Sequence, residues 1–252
     1  MDNGDSERII RYINNKLESE NSNYKAFENT NKSHGATFII NSMDSNGKKV
    51  IIKAIDHSDM PESEDESDSS YALFRRESNS LKFLSGKSEY TVKLLEGPFH
   101  IEGKNISFFV MEKLIPIVAK HELSGLEYCQ TVTGWIKKNG LSLVMAYMGY
   151  CISNALKEIQ HAGITNQRDI KPENIFIDRE DDDMFNCKFI LGDFGTAHLK
   201  DSMGTNPGKK IGTRYYIPGG SEDNTDWRYD QFMLGITLYE PFNGNVIGLD
   251  YQ

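Results

Sequence analysis

The chain is poor in cysteine, tryptophan and positive charge. Its 252 residues include three cysteines and two tryptophans, and its 28 Lys and Arg residues are outnumbered by 37 Asp and Glu residues. Cys129, Cys151 and Cys187 lack metal-ligand spacing and are odd in number, so we expect reduced thiols rather than a disulfide framework. The formal net charge of -9 argues against general binding to nucleic acid or to anionic membranes.

Long apolar runs are also absent. No stretch of about 18 apolar residues is present, and the first twenty residues are polar, so neither a transmembrane helix nor a signal peptide is predicted. We therefore expect a cytoplasmic protein that does not bind membranes. The length of 252 residues is enough to bury a sizeable core within one domain.

The most informative stretch begins at Asn166 and reads Asn-Gln-Arg-Asp-Ile-Lys-Pro-Glu-Asn, and Gly-Asp-Phe-Gly follows about twenty residues later. It offers carboxylates at Asp169 and Asp193, an ammonium at Lys171 and an amide at Asn174. Phosphoryl transfer needs these groups, to orient the attacking hydroxyl, to neutralise the moving phosphoryl group and to hold Mg²⁺. Each motif alone is more simply a surface ion pair or a turn. The hypothesis of phosphoryl transfer therefore depends on their combination.

In combination, these motifs resemble the catalytic and metal-binding loops of the eukaryotic-type serine/threonine protein kinases. The resemblance implies an α+β, bilobal protein-kinase-like fold. Its N-lobe, about residues 1–112, would hold a five-stranded antiparallel sheet and the family's helix αC. Its C-lobe, about residues 113–252, would be helical and shortened, and both lobes would form one domain. ATP and Mg²⁺ are the implied cofactors and a protein is the implied substrate.

Short β-branched runs predict the N-lobe strands. Thr37–Ile40 and Val50–Ile55 lie on either side of Asn46-Gly47, a strong tight-turn signal, so we predict a hairpin. Two more strands are predicted at Val92–Leu95 and Ile106–Met111, with Gly-Pro and Gly-Lys-Asn as turns. Residues 18–34 are rich in Asn, Ser and Glu and are predicted to be irregular.

Helical periodicity occurs at two informative places. Apolar residues near the N terminus recur at helical spacing and indicate an amphipathic helix that packs on the core or on a partner; they are Ile9, Ile10, Ile13 and Leu17. A second set, between Val144 and Ile159, predicts a helix that ends at Gly163 and resembles the family's helix αE.

The resemblance assigns catalytic roles to four residues. Lys53, in Val-Ile-Ile-Lys, would contact the α and β phosphates and pair with Glu77 of the helix αC segment. A lysine in so apolar a strand is costly to bury unless it is paired. Asp169 would accept or orient the substrate proton, and Lys171 would stabilise the transferred group.

Further roles also follow from the resemblance. Asn174 and Asp193 would coordinate Mg²⁺. Nucleotide contacts would come from the glycine loop, the adjacent strand, the hinge and the C-lobe, through Gly35, Ile51, Lys53, Met111, Glu112, Lys113, Leu114, Phe176 and Asp193. Thr213 fits a serine/threonine kinase, and Ser202, Thr205 and Thr213 are candidate phosphorylation sites.

Some positions depart from the family pattern. Gly35 is the only glycine of its loop, with Thr30 and Lys32 near the other two positions, and Ile51 replaces a small alanine. Side chains there keep backbone amides from phosphates, so weaker nucleotide binding is expected. Gln167 replaces the usual histidine, which predicts reduced activity. These departures favour an alternative, a pseudokinase that acts as a nucleotide-binding or partner-binding scaffold.

The predicted C-lobe is shorter than in the family, which leads us to expect a binding partner. The segment from Asp230 resembles the start of the family's helix αF, and the sequence stops about twenty residues later. A shortened C-lobe should leave apolar surface that a protein partner or a second copy covers, unless the sequence is a fragment. Two acidic runs, residues 57–70 and 180–183, are interpreted as solvated loops rather than docking or metal sites.

Overall fold

The computed structural model describes residues 3–33, 36–58, 69–122, 125–199, 212–219 and 227–243. The helices are α1 Asn3–Ser19, α2 Ser70–Leu84, α3 Gln130–Asn139, α4 Leu141–Ala162 and α5 Arg228–Asn243. The strands are β1 Tyr24–Ser33, β2 Thr37–Asp44, β3 Lys49–Asp56, β4 Leu94–Ile101, β5 Ile106–Glu112, β6 Ile115–Pro116, β7 Val118–Glu122, β8 Gly125–Tyr128, β9 Ile164–Asn166, β10 Ile175–Ile177, β11 Phe189–Leu191 and β12 His198–Leu199. Within these ranges, no helix combines the length and apolar character needed to cross a bilayer.

The chain forms two compact units. The first contains the residues up to Lys82 together with Lys93–Lys113, and the second contains Phe83–Val92 and the residues from Leu114 onward. The first unit is built on a five-stranded antiparallel sheet with strand order β1-β2-β3-β5-β4. The predicted hairpin is present as β2 and β3, and Gly47 takes a φ of 80° at its turn.

Two sequence predictions for this sheet are wrong. Residues 18–34 were expected to be irregular, yet residues 24–33 form β1, the strand at one edge of the sheet. A polar sequence without apolar alternation gives no strand signal, because pairing with β2 rather than local propensity determines β1. Gly97-Pro98 was expected to be a turn but lies inside β4. A register shift between Glu96 and Phe99 accommodates both residues within the strand.

Helix α1 packs on one face of the sheet. Ile13 is fully buried, and its neighbours one turn away on either side, Ile9 and Leu17, are each 1% exposed. They share a core cluster with alternate residues of the central strands, including Phe38, Ile40, Val50, Ile52, Ala54, Phe108 and Val110. Because successive strand residues point to opposite faces, Ile51 and Lys53 lie on the other face of β3. The interpretation of α1 as a core-packing helix is confirmed.

The second unit is centred on α4. One face of this helix is buried, and Gly163 ends it with a φ of 97°, donating its N–H to the carbonyls of Gln160 and Ile159. Strands β10 and β11 pair in an antiparallel hairpin. In the turn between them, Asp181 and Asp183 accept hydrogen bonds from the turn's own backbone. Among the described residues, no group of three or more His, Cys, Asp or Glu side chains could hold a metal.

The segment before α4 differs from the sequence prediction. A helical pattern was expected directly after the hinge, but β6, the antiparallel hairpin β7–β8 and α3 come first. These strands have two to five residues, which is too short for a periodic signal. Helix α3 is fixed by Trp135, whose ring Nε1 donates to the carbonyl of Asp181 at 2.8 Å.

Candidate active site

In the first unit, the ammonium of Lys53 forms a close ion pair with the carboxylate of Glu77. Lys53 lies in the middle of β3 and Glu77 lies on α2, which are 24 positions apart in sequence. The Glu77 side chain is 3% exposed and that of Lys53 is 16% exposed, so each charge compensates the burial of the other. The structure therefore brings together the two residues that the resemblance paired.

The residues predicted to contact the nucleotide base are spread over both units. Ile51 pairs in register with Met111 between β3 and β5. The carboxylate of Glu112 accepts from the N–H of Lys93 at 2.9 Å, and its own N–H donates to the Lys93 carbonyl at 3.1 Å. Lys113 is exposed and donates to Asn41 at 2.9 Å, while Leu114 is half-buried in the second unit. Gly35, Ser202 and Thr205 lie outside the described residues.

In the second unit, the catalytic-loop side chains form a closed ring of hydrogen bonds. Asp169 Oδ1 accepts from the backbone N–H of Thr213 at 3.0 Å and from its hydroxyl at 2.8 Å. Lys171 Nζ lies 2.8 Å from Asp169 Oδ2 and 2.7 Å from the Thr213 hydroxyl oxygen. Asn174 Nδ2 donates to Asp169 Oδ2 at 3.0 Å and to the Asp169 carbonyl at 2.8 Å. Lys171, Asn174 and Thr213 thus hold the Asp169 carboxylate in a fixed orientation.

Gln167 forms hydrogen bonds with the backbone next to this ring. It is fully buried, and its side-chain oxygen accepts from the N–H of Asp169 at 2.7 Å. Its Nε2 donates to the carbonyls of Asp193 at 2.6 Å and Gly192 at 3.2 Å. A single side-chain amide therefore joins the catalytic loop to the segment that carries Asp193.

Asp230, on α5, fixes the backbone of the same loop. Its two carboxylate oxygens accept from the N–H groups of Gln167 at 2.7 Å and Arg168 at 2.9 Å. These bonds hold Arg168 at a φ of 71°, a left-handed conformation that few non-glycine residues adopt. Burial raises the pKa of Asp230 to about 6, although the two N–H donors favour the charged form.

The predicted metal ligands lie on adjacent segments. Asn174 is buried, and because its Nδ2 is used by Asp169, its side-chain oxygen points away from that bond. The carbonyl of Asn174 accepts from the N–H of Gly192 at 2.9 Å, directly before the exposed Asp193. A Cβ on Gly192 would lie 2.7 Å from the ring of Phe176, so glycine permits this close approach.

This donor set fits Mg²⁺ bound with a nucleotide. One amide oxygen and one carboxylate are hard oxygen ligands, and Mg²⁺ usually keeps several waters and substrate phosphates as its remaining ligands. Asp193 has a φ of 51°, and its carboxylate accepts from the N–H of Gly195 at 3.3 Å. This bond limits the orientations that the exposed carboxylate can take.

A further polar network lies close to the ring. Nδ1 of His121, on β7, lies 2.6 Å from Glu173, and Nε2 lies 2.7 Å from Glu240 on α5. The second oxygen of Glu240 accepts from the Tyr216 hydroxyl at 2.6 Å. Burial and this bond raise the pKa of Tyr216, so it remains a donor. The network joins β7 and α5 to segments next to Asn174 and Thr213.

Sequence reasoning did not identify the roles of His121, Asp230 and Glu240. Each acts on residues more than sixty positions away or across several elements, and no local motif marks such a contact. Asp230 was recognised only as the start of a helix. The available signal for Asp230 was a charged residue on the apolar face of that helix, because a buried carboxylate requires hydrogen-bond partners.

The chain was compared with known proteins. The family described as protein kinase domain matches residues 35–249. The serine/threonine-protein kinase PKH1 of Saccharomyces cerevisiae is 32% identical over 199 residues, which cover 64% of this chain and 24% of the yeast protein. The serine/threonine-protein kinase PknE of Mycobacterium tuberculosis is 36% identical over 97 residues, which cover 37% of this chain and 16% of that protein. The chain thus spans about a quarter or less of the length of these curated relatives.

A solved structure shows the same fold. A chain in the structure of the CAK complex from Chaetomium thermophilum, bound to ATP-gamma-S, superposes with a TM-score of 0.63 and 19% identity. The match covers 92% of this chain and 66% of that chain. Together with the five-stranded antiparallel sheet, this likeness confirms the predicted α+β protein-kinase-like fold. The family match over residues 35–249 and the serine/threonine kinases among its relatives show that this chain belongs to the protein kinase domain family, of the eukaryotic serine/threonine type.

Proposed function

We propose that this chain is a serine/threonine protein kinase that transfers the γ-phosphoryl group of Mg-ATP to hydroxyl groups of proteins. The ring formed by Asp169, Lys171, Asn174 and Thr213 carries this proposal. Any one of these contacts could be structural, but together they hold a carboxylate, an ammonium and an amide in one loop, which is the set of groups that phosphoryl transfer needs. Family membership supports the same reaction.

Each residue of the ring has a separate role in the proposed reaction. Asp169 accepts a hydrogen bond from the substrate hydroxyl and orients its oxygen. It receives the hydroxyl proton as the new P–O bond forms and the bond from the γ-phosphorus to the bridging oxygen breaks, with ADP as the leaving group. Lys171 offsets the negative charge of the group in transfer, because its ammonium lies next to the same carboxylate. The Thr213 hydroxyl forms hydrogen bonds with both the Asp169 carboxylate and the Lys171 ammonium and holds them close to each other.

The nucleotide and its metal are proposed to be held by four other residues, which are Lys53, Glu77, Asn174 and Asp193. Lys53, kept in place by Glu77, is the cation for the phosphates, and Asn174 and Asp193 are the oxygen ligands for Mg²⁺. When bound, ATP would supply the phosphoryl group and Mg²⁺ would neutralise charge on the phosphates. The chain's own residues orient the acceptor hydroxyl and take its proton.

The test is intact-mass analysis of the purified protein after incubation with Mg-ATP and a generic serine/threonine substrate protein. We expect mass steps of one phosphate in the wild type and none in Lys53→Ala or Asp169→Asn. Lys49→Ala, an exposed lysine at the start of the same strand, and Asp182→Asn, an exposed acidic turn residue, are the matched controls. Both controls should behave like the wild type.

The alternative is a pseudokinase scaffold, and the same experiment distinguishes it. Absence of phosphate transfer in the wild type, with no thermal shift on adding Mg-ATP, would reject the kinase proposal in favour of a partner-binding scaffold. A thermal shift without transfer would favour a nucleotide-binding scaffold.

The prediction that a partner or a second copy covers the C-lobe stays a prediction. The described part of α5 has exposed aromatic residues at Tyr239 and Phe242. Beside them, Leu156 of α4 and Leu234 and Leu238 of α5 line a groove between the two helices. A protein substrate or partner could therefore find apolar surface here.

A further inference from the structure

Two histidines and a serine meet at one end of the five-stranded sheet. His100 of β4 lies opposite Ser107 of β5 in the strand pairing, and its Nδ1 lies 3.2 Å from the Ser107 hydroxyl oxygen. Nε2 of His57, the residue after β3, lies 3.4 Å from the same oxygen. The ring centroids of His57 and His100 are 5.7 Å apart. We call these three residues the histidine cluster.

The histidine cluster joins the sheet to the first turn of α2. The ring of His57 stacks on the ring of Tyr71, with centroids 4.2 Å apart and planes inclined by 24°. Tyr71 is the second residue of α2. The backbone N–H of His57 donates to the carbonyl of Asn105, directly before β5, at 2.9 Å. A chain of contacts thus runs from β4 and β5 through His57 to the helix.

Tyr71 begins a row of contacts along one face of α2. Phe74 lies three positions later, and its ring centroid is 5.1 Å from that of Phe109 on β5. Glu77 follows after three more positions and pairs with Lys53, which lies opposite Phe109 in the pairing of β3 with β5. Residues three positions apart lie on the same face of a helix. The contact at Tyr71 therefore supports the face of α2 that carries Glu77.

The hydrogen bonds of the histidine cluster need a neutral imidazole. Ser107 is 7% exposed, and its hydroxyl has one proton to donate. A neutral imidazole offers one acceptor nitrogen and one N–H donor, so one ring can accept this proton while the other donates to the Ser107 oxygen. When both rings are protonated, every ring nitrogen is a donor. No acceptor then remains within the cluster for the Ser107 proton.

The charges around His57 act mainly in the same direction. A proton on each ring would place two positive charges close together, between His57 and the exposed His100. On α2, the guanidinium of Arg75 lies 5.8 Å from the centre of the Tyr71 ring and adds a further positive charge. The carboxylate of Asp56, at the end of β3, opposes them.

Burial and then His100 lower the pKa of His57, while Asp56 raises it, and the net change is downward from 6.5. The folded state therefore binds fewer protons at His57 than the unfolded state does. The contribution of this contact to stability is full above about pH 6.5 and is lost as pH falls through the lower pKa of the folded state.

We propose that the histidine cluster is a pH-sensitive contact, which holds the first turn of α2 on the sheet while one ring is neutral and releases that turn when both rings are protonated. The inference goes beyond the proposed function, because it concerns the conformation of α2 and needs no phosphate transfer. Release removes one support of the helix face that pairs Glu77 with Lys53.

An NMR titration of the imidazole rings in the whole chain, from pH 5 to pH 8, tests the electrostatic part. The pKa of His57 should lie below 6.5 in the wild type and should rise in His100→Gln, which removes the neighbouring charge. His161→Gln, at an exposed position of α4, is the matched control and should leave His57 unchanged. A His57 pKa at or above 6.5, or one that does not respond to His100→Gln, would overturn the inference.

Hydrogen exchange of peptides covering residues 69–77 tests the release itself. Their protection, corrected for the intrinsic dependence of exchange on pH, should be about tenfold lower at pH 5.5 than at pH 7.5, as expected for repulsion between two charges at this separation near a protein surface. Peptides from α1 should keep their protection, which distinguishes local release from unfolding of the whole unit.

Two variants decide whether the histidine cluster causes this change. His57→Gln removes the titrating ring and Tyr71→Leu removes the stack, so protection of residues 69–77 should no longer depend on pH in either variant. His161→Gln should behave like the wild type. Equal protection at both pH values in the wild type, or a pH dependence that persists in His57→Gln, would contradict the proposal.

Discussion

At the residue scale, Gln167 shows how one side chain can join two loops of the candidate active site. Its amide bonds Asp169, Gly192 and Asp193, and it is fully buried. We predict that Gln167→Ala lowers the free energy of unfolding by about 1–3 kcal/mol, because buried backbone groups lose their partners. Phosphate transfer should fall at least tenfold, since Asp169 is no longer held in place.

Thermal melting and initial rates of transfer measure these two effects. Gln160→Ala, an exposed glutamine near the end of α4, is the matched control and should change neither quantity. Gln167→His, which introduces the residue usual in the family, should restore most of the activity lost in Gln167→Ala. Wild-type rates in Gln167→Ala would contradict the assigned role.

Asp230 gives the protein a pH-dependent stability that can be isolated by substitution. Its pKa is raised from 3.8 to about 6 in the folded protein, so between these values the folded state binds more protons than the unfolded state. The contribution of Asp230 to stability is therefore full below about pH 4 and is lost as pH rises through about 6. The loss amounts to about 3 kcal/mol at most, by the linkage of two pKa units.

Denaturant unfolding of the wild type and Asp230→Asn from pH 4 to pH 7 measures this effect. Asparagine does not titrate, so the stability advantage of the wild type over the variant should shrink as pH rises. Asp182→Asn, at an exposed position, should show a constant difference from the wild type. A difference between wild type and Asp230→Asn that grows with pH would show that the N–H bonds outweigh burial.

At the element scale, the hairpin β7–β8 brings His121 between two carboxylates. Its ring nitrogens face Glu173 and Glu240, and Glu240 is 3% exposed. We predict that His121→Ala lowers the free energy of unfolding by about 1–3 kcal/mol, because the buried Glu240 carboxylate loses a hydrogen-bond partner. The rate of phosphate transfer should also fall, since Tyr216, three positions after Thr213 of the ring, is held through the same carboxylate.

Thermal melting and steady-state kinetics with varied substrate protein measure this prediction. His161→Ala, in the last turn of α4, is the matched control, because His161 is exposed and its Nδ1 bonds to the carbonyl of Lys157, one turn earlier in the same helix. Tyr216→Phe should have the smaller effect of about 1 kcal/mol, as one hydrogen bond is removed. Equal stability of His121→Ala and His161→Ala would contradict the prediction.

The elements also show which parts of the structure could be predicted from sequence. Strands β2, β3 and β5 and helix α4 were predictable because their apolar patterns are strong and local. The pairing of Lys53 with Glu77 followed from the resemblance. Strand β1 and the hairpin β7–β8 could not be predicted, because their polar sequences gain strand structure only from neighbours distant in sequence.

At the scale of the whole molecule, the family match does not include all of the folded core. Helix α1 and β1 precede residue 35, yet Ile13 is fully buried against the sheet. We predict that Ile13→Ala lowers the free energy of unfolding by about 2–5 kcal/mol, because a buried cavity replaces the side chain. Ile13→Val should cost about 0.5–1.5 kcal/mol.

Chemical denaturation of the whole chain measures both values. Glu18→Ala, at an exposed position of the same helix, should leave stability within about 0.5 kcal/mol of the wild type. A loss for Ile13→Ala as small as that for Glu18→Ala would show that α1 contributes little to the core.

The position of β1 has a consequence for anyone who shortens this protein. A version cut to the family match, residues 35–249, would lack α1 and β1 and would begin just before β2. The backbone of β2 would then be unpaired along one side, with Phe38 and Ile40 no longer covered by the helix. Such a strand is a template for pairing with other chains. We expect the shortened protein to aggregate, for a reason unrelated to the chemistry of its active site.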